Sequence, residues 1–391
     1  MRRELWIIVA GFMAAVHVGK LPASVPVLTQ SLGLSLVQAG ILLSLVQGAG
    51  MLSALLLGSY SQRIGLKRCM LLGLVILGVA SSCGAMFSSL NMLLLLRAGE
   101  GLGFLLVTLT GAAYLRELVH SDQLQKALGV WSAYMGGGMG IALLLTPWLL
   151  HYTTWQGIWV GYGMASFVLA AIIYLYVPQT TSNTKQQVGQ ILKLTLMHRP
   201  AWLLALVFAL YAGQWLCLVG FLPTIYSENQ ISLTVAGSLT AVVAISNAVG
   251  TALCGRLLQR GYPAVTLIRV GFLVITLCAV SFYTLQAELN FAMQYMCVVL
   301  FSLVGGLIPA SVFSCAMYVA PQPAAIPATI GLTLQCSAFS QFVFPPFCAM
   351  LVATTHSWSG VGISMMLMSL LALGLVHLLF NKFLRLTNQQ G

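Results

Sequence analysis

Apolar runs long enough to cross a bilayer recur from one end of this chain to the other, separated only by short polar or basic stretches. About 20 mostly apolar residues, at about 1.5 Å of rise each, span the hydrocarbon core as one helix. Twelve such spans are predicted, at roughly 5–29, 38–60, 69–88, 92–114, 127–150, 157–177, 201–223, 234–255, 265–285, 292–319, 328–352 and 360–380. Only 6% of the 391 residues are charged, against about 25% in a soluble domain. So few charges cannot cover a water-facing surface. A soluble enzyme, a secreted disulfide scaffold and a disordered chain are thereby excluded, and the expected class is an all-α membrane protein. Arg2 and Arg3 ahead of an apolar run from Leu5 have the form of a signal peptide. A counterpart of this segment later in the chain makes a retained first span the better reading.

Basic residues set the orientation. With the N-terminus inside, the cytoplasmic segments hold Arg2, Arg3, Arg63, Lys67, Arg68, Arg116, Lys126, Lys185, Lys193, Arg199, Arg256, Arg260, Lys382 and Arg385, and the opposite loops hold none. Both termini are therefore expected in the cytoplasm. Lys20, Arg97 and Arg269 remain within spans. Arg269, near the cytoplasmic start of the ninth span, reads as an anchor. The net charge of +11 is spread thinly, unlike the clustered stripe that grips nucleic acid, so no nucleic-acid partner is expected. The nine cysteines fall in or beside apolar segments without metal-ligand spacing, so they read as small packing residues, and no metal or other cofactor is expected.

The chain repeats itself. Gly19-Lys20-Leu21-Pro22 returns as Gly220-Phe221-Leu222-Pro223, and Gly58 with Gln62-Arg63 returns as Gly255 with Gln259-Arg260. Gly101 and Tyr114 return as Gly305 and Tyr318, each about 200 residues on. Ordered anchors at a nearly constant offset imply two six-span halves around a central pathway. The expected division is a first bundle over 1–177, a cytoplasmic linker over 178–200, a second bundle over 201–380 and a short tail over 381–391.

The loop Gly58-Ser59-Tyr60-Ser61-Gln62-Arg63-Ile64-Gly65-Leu66-Lys67-Arg68 resembles the signature between spans two and three of the major facilitator superfamily. The family usually has Asp where Gln62 stands, and that Asp helps lock the cytoplasmic side. The resemblance makes Gly58, Gln62, Arg63, Gly65, Lys67 and Arg68 a gating loop, with a lock weakened at Gln62. Arg97 to Gly101 is similar to the family's R-x-x-x-G motif, associated with proton coupling. The Gly-rich fifth span, Gly136 to Gly140 with Thr146-Pro147, is a degenerate form of the G-P-x-x-G-G motif of drug antiporters. The P-E-S-P-R motif of sugar porters is absent. Within the superfamily, Gly19-Lys20-Leu21-Pro22 and Glu100-Gly101-Leu102-Gly103 are most like cyanate-permease-type (CynX/NimT-like) carriers.

Ionisable side chains in hydrocarbon are costly and face partners. His17 and Lys20 in the first span, and Arg97 and Glu100 in the fourth, are each spaced i, i+3 and so share a helix face. Lys20 and Glu100 lie at similar depth, ~14 and ~12 Å from the outer ends of their spans. The family resemblance implies that both helices line the cavity, where the two charges could meet. The second half has Phe221, Phe301 and Val304 in place of Lys20, Arg97 and Glu100, so the fold alone does not require the charges. Arg97–Glu100 reads either as an ion pair fixing helix packing or as a coupling site, since Glu100 is the one carboxylate within the spans. Burial and the neighbouring cations pull its protonation in opposite directions. Lys20 lies too deep to snorkel easily and reads as an anion-binding ammonium, with His17 beside it as donor or relay. Trp131 and Tyr134 could wall the site, and Gln214, Asn247 and Gln335 are uncharged polar candidates in the second half. Gln294, Gln341, Tyr211, Trp215 and Tyr295 lie near them. Pro309 and Pro345-Pro346 mark expected kinks.

No phosphate-binding lysine motif occurs, and no nucleophile stands with a nearby base. The expectation is therefore not an enzyme but a secondary transporter in a bacterial inner membrane, its expected partners being protons, lipid and a small organic or inorganic anion. Inward proton symport by a monomer is preferred. An exporter of a larger metabolite, such as a siderophore or drug, is the alternative. A transporter-like sensor is a third reading, disfavoured by the short tail.

Overall fold

Hydrocarbon offers no hydrogen bonds, so apolar runs of this length satisfy their backbone internally as helices. A computed structural model describes residues 3–179, 188–285 and 288–380, with backbone only at 58–64, 121–122, 125–126 and 188. No strand occurs among the described residues. The chain before residue 178 forms α1 (Arg3–Leu32), α2 (Leu36–Leu45), α3 (Gly48–Ile64), α4 (Leu66–Gly84), α5 (Leu90–Leu118), α6 (Ser121–Ser132), α7 (Tyr134–Leu149) and α8 (Trp155–Tyr176). Then come α9 (Val188–Met197), α10 (Arg199–Glu228), α11 (Leu233–Gln259) and α12 (Ala264–Thr284). The last four are α13 (Phe291–Gly305), α14 (Leu307–Val319), α15 (Ile326–Thr355) and α16 (Ser359–Leu378).

Among the described residues, eleven helical stretches are long and apolar enough to cross a membrane. The apolar α7 has 16 residues, short of that length, because the fifth expected span breaks at Ala133. The second span divides into α2 and α3 around Val46 and Gln47, and the tenth into α13 and α14 at Gly306. The tenth has a local cause. Pro309 has no N–H to donate, and its ring crowds the carbonyl of residue 305, where α13 ends. α15 runs through Pro345 and Pro346, where kinks are expected, as one continuous helix. Polar caps start several helices. Ser35 and Gln38 close a capping box at α2, with bonds of 3.2 and 2.9 Å. Asn290 accepts the Met293 N–H at 2.9 Å to start α13.

The expected linker contains a helix. Its residues 188–197 form α9, and residues 180–187 lie outside the described residues, as does the tail 381–391.

Helices in lipid associate by close fit rather than by hydrophobic exclusion, so small residues mark their contacts. The α4–α5 contact brings Gly73 against Gly103, and α1 packs on α7, α5 and α8. Contacts between the two parts of the chain run along α7 with α11, α1 with α10, and α2 and α3 with α15.

Gly101 on α5 is the tightest constraint beside the charged residues. A Cβ there would stand 2.5 Å from the carbonyl oxygen of Val46 and 3.0 Å from its carbonyl carbon, and backbone cannot yield. At Gly99, two residues away, a Cβ would meet only the Ala80 Cβ at an ordinary 3.4 Å. Gly101→Ala is expected to destabilise by about 1–3 kcal/mol through overpacking. Gly99→Ala is expected to be neutral or stabilising by up to about 1 kcal/mol, since it removes a mid-helix glycine. Thermal unfolding of the two variants in detergent checks the contrast.

Candidate functional site

Four ionisable side chains meet inside the packing of α1, α2, α4, α5 and α8, and none is more than 1% exposed. α1 brings His17 and Lys20, and α5 brings Arg97 and Glu100. The Glu100 carboxylate sits between the two cations. Its Oε1 accepts from Lys20 Nζ, and its Oε2 accepts from Arg97 Nη1 at 2.6 Å. Lys20 places its remaining donors on Ser81 Oγ of α4 at 2.6 Å and on His17 Nδ1 at 3.4 Å. The Trp159 ring of α8 lies 4.3 Å from Nζ in a cation–π contact.

An ammonium only donates, so His17 Nδ1 accepts. Its proton is then on Nε2, which donates to Ser166 Oγ of α8 at 2.8 Å. Ser166 in turn donates to the Tyr162 carbonyl at 3.2 Å, and Ser81 donates to the Trp159 carbonyl at 2.7 Å. The serines thus tie the charges to the backbone of α8.

Arg97 does a different task. Pro22 in α1 has no N–H, which leaves the Val18 carbonyl four residues earlier without its helical donor. Arg97 Nη2 donates to that carbonyl at 3.4 Å, and Nη1 donates to the neighbouring His17 carbonyl at 2.7 Å. Arg97 Nε donates to the Leu42 carbonyl at 3.2 Å, near the C-terminal end of α2. One guanidinium therefore serves the proline site of α1 and the break after α2. With His17 neutral, two cations face one carboxylate, leaving one net positive charge in a place shielded from water.

The hydrogen bonds and ion pairs of Lys20, Glu100, Arg97 and the His17 side chain are all made with residues 17–166. Lys20 and Glu100 meet, but within this part of the chain rather than across an open cleft. The other candidates stand elsewhere. Trp131 packs between Gly11 of α1 and Gly111 of α5, with the Tyr134 ring 5.1 Å away. Gly11 lies nine residues before Lys20, or ~13 Å along the helix. Gln214 donates to the Leu210 carbonyl at 2.7 Å and accepts from Ser369 at 3.1 Å. Asn247 donates to Tyr211 at 2.6 Å and to the Ser302 carbonyl at 3.0 Å, and Trp215 donates to Ser302 Oγ at 3.0 Å. Gln335 accepts the Leu55 N–H at 3.1 Å, while Gln47 donates to Gln341 at 3.1 Å. These two glutamines join α15 to α3 and to the break between α2 and α3.

In the loop signature, Gly65 has φ 97°, a region that only glycine enters without strain. Lys67 donates to the Tyr174 carbonyl at 2.8 Å, and Arg68 is exposed. The side chains of 58–64, with Gln62 and Arg63 among them, lie outside the described residues. Ser81, Ser166 and Trp159 were not singled out by the sequence. Their only signal there is a small hydroxyl or an indole within an apolar span, and many other positions share it.

A family model described as Major Facilitator Superfamily matches residues 7–345, most of the chain. The chain belongs to the Major Facilitator Superfamily. It is a multi-pass membrane protein. Among superfamily relatives, the cyanate transport protein CynX of Escherichia coli (strain K12) is 26% identical over 58% of this chain and 59% of its own length. The match thus spans about three-fifths of that relative. The probable 4-methylmuconolactone transporter of Cupriavidus pinatubonensis is 24% identical over 72% of this chain and 69% of its own. The fold is shared with a bacterial homolog of the human lysosomal transporter Spinster. That structure superposes with a TM-score of 0.80 at 15% identity, covering 98% of this chain and 97% of the other.

The geometry orders the effects of substitution. Lys20→Met leaves Glu100 paired with Arg97, whereas Glu100→Gln leaves two buried cations around a neutral amide. Breaking a buried pair from one side costs about 3–5 kcal/mol. Glu100→Gln is expected to lower Tm more than Lys20→Met does. Adding Lys20→Met to Glu100→Gln is expected to recover part of the loss. Thermal unfolding of the three variants in detergent measures both differences.

Proposed function

We propose that this transporter moves a small organic or inorganic anion by alternating access, coupled to a proton. In this reading twelve helices form two six-helix bundles in a bacterial inner membrane, with both termini in the cytoplasm. The observation that carries it is the charge imbalance of the buried group, Lys20 and Arg97 against Glu100 alone. The likeness to a cyanate transport protein supports an anionic substrate.

The coupling follows from electrostatics. Ionised Glu100 neutralises one of its two cations. A proton on Glu100 removes that compensation and raises the net charge of the group from one to two. The added charge acts on an anion held between the bundles. At ~10 Å and an effective dielectric of about 20 it is worth roughly 1–2 kcal/mol, or about five- to thirtyfold in affinity. By linkage, the bound anion strengthens protonation to the same degree. Proton and anion then favour one another's binding, which is the thermodynamic requirement for symport. The anion itself is assigned to the space between the bundles, where Gln335 and Gln341 of α15 approach α3 and Gln47, with Trp131 and Tyr134 on the first-bundle side. Lys20 and Arg97 act on it through their field, and His17 holds the orientation of Lys20.

Uptake of a panel of small anions into proteoliposomes tests this. Accumulation is expected when the outside is acidic and to collapse when the proton gradient is dissipated. Glu100→Gln is expected to abolish accumulation while leaving anion exchange measurable. Gradient-driven uptake that survives both Lys20→Met and Glu100→Gln would overturn the mechanism. Extrusion of bulky solutes without anion uptake would favour an exporter instead.

A further inference from the structure

The buried charges leave one feature of the chain unused, the helix inside the expected linker. α9 is two-faced. Ile191 and Leu192 turn inward against Leu55 of α3, Ala201 and Ala205 of α10, and Ala328 and Leu332 of α15. Thr195, one turn after Ile191, is fully buried and donates to the Ile191 carbonyl at 3.0 Å. α9 therefore closes a joint to which elements from both parts of the chain contribute. Its end is fastened by Trp202, whose indole N–H donates to the Leu196 carbonyl at 2.9 Å. That carbonyl is otherwise an orphan of the helix C-terminus.

The opposite face is apolar and basic together. At 100° per residue, Lys193 and Met197 point away from the docked face, with Leu194 and Leu196 on its flanks. Met197 is 72% exposed, and Leu194, Leu196 and Trp202 are each about 40% exposed. Lys193 and Arg199 are exposed beside them. No acidic residue occurs anywhere between Asp122 and Glu228, so no carboxylate of this stretch competes for these cations. Lys67, Arg68, Arg256 and Arg260 belong to the same set of segments expected to face the cytoplasm.

Apolar side chains flanked by cations and an indole match the boundary between acyl chains and anionic headgroups. We propose that the outer face of α9, with Arg199 and Trp202, is a binding site for anionic phospholipid. The lipid phosphate pairs with Lys193 and Arg199, and its acyl chains cover Leu194, Leu196 and Met197. A bound lipid holds α9 down on the joint of α3, α10 and α15. The site is independent of the transported substrate.

The full-length protein reconstituted in phosphatidylcholine vesicles tests this, with brominated phosphatidylglycerol or brominated phosphatidylcholine present at equal mole fraction. The quenching lost on Trp202→Phe reports the lipid beside Trp202. Brominated phosphatidylglycerol is expected to quench that component severalfold more strongly than brominated phosphatidylcholine. Each cation removed is expected to weaken the preference about fivefold. Lys193→Gln with Arg199→Gln should therefore erase it, and Lys193→Arg with Arg199→Lys should keep it. Because Trp202→Phe also removes the fastening of α9, lipid retention by the detergent-purified wild type is measured by mass spectrometry as well. Retained phosphatidylglycerol is expected to fall in the double glutamine variant. Equal quenching by the two lipids, or a preference that survives the double substitution, would overturn the proposal.

Discussion

One carboxylate holds the first part of this molecule together. Glu100 accepts from Lys20 on one oxygen and from Arg97 on the other, and it is the single acid in a group otherwise positive. In hydrocarbon a lone ammonium or guanidinium is costly to bury. The three charges are tolerated because nearly every donor among them ends on an acceptor. Lys20 uses Glu100, Ser81 and His17, and Arg97 uses Glu100 and three backbone carbonyls. The backbone geometry in turn depends on the charges. Pro22 frees a carbonyl in α1, the end of α2 frees another, and Arg97 bonds to both.

This dual dependence bears on function. A purely structural ion pair is replaceable in principle by apolar residues of similar volume. The second part of the chain makes that replacement, with Phe221 and Phe301, each 1% exposed, where Lys20 and Arg97 stand in the first. On the pairing that the sequence repeat suggests, apolar rings in the second part stand where the first has charges. Arg97 has a structural reason to be charged, since it bonds to carbonyls freed in α1 and α2, and the proposed coupling rests on Glu100 alone being able to change its charge. Placing the charges behind the packed helices, rather than on a wet surface, also strengthens their reach, because screening by water and salt is weak there.

Much of the architecture was legible from one-dimensional quantities. The helices lie within a few residues of the apolar runs because length and hydropathy are properties of the segment itself. The interruptions were harder. Pro309 announces the break at Gly306, yet Pro345 and Pro346 pass through α15 without one. A proline removes a bond locally, but whether the helix parts depends on what packs around it. α9 escaped notice because its ten residues are too few to span and lie within a polar stretch. Its apolar side acquires meaning only against Leu55, Ala328 and Leu332, which are remote in sequence.

The candidate site divides along the same line. Sequence alone established that His17 and Lys20 share a face, that Arg97 and Glu100 share another, and that the two pairs lie at matching depth, because helical spacing and rise are fixed by the backbone. Tertiary structure alone decided which way those faces turn. It directs them toward Ser81, Trp159 and Ser166 of α4 and α8, and sends Gln335 and Gln341 to meet α3 and Gln47. It also separates the fates of the paired tyrosines. Tyr114 is buried with its hydroxyl on the Pro178 carbonyl at 2.6 Å, while Tyr318 is 76% exposed. The rotation of each helix about its axis is set by the sum of its contacts with several neighbours at once. No periodicity within a single segment carries that information.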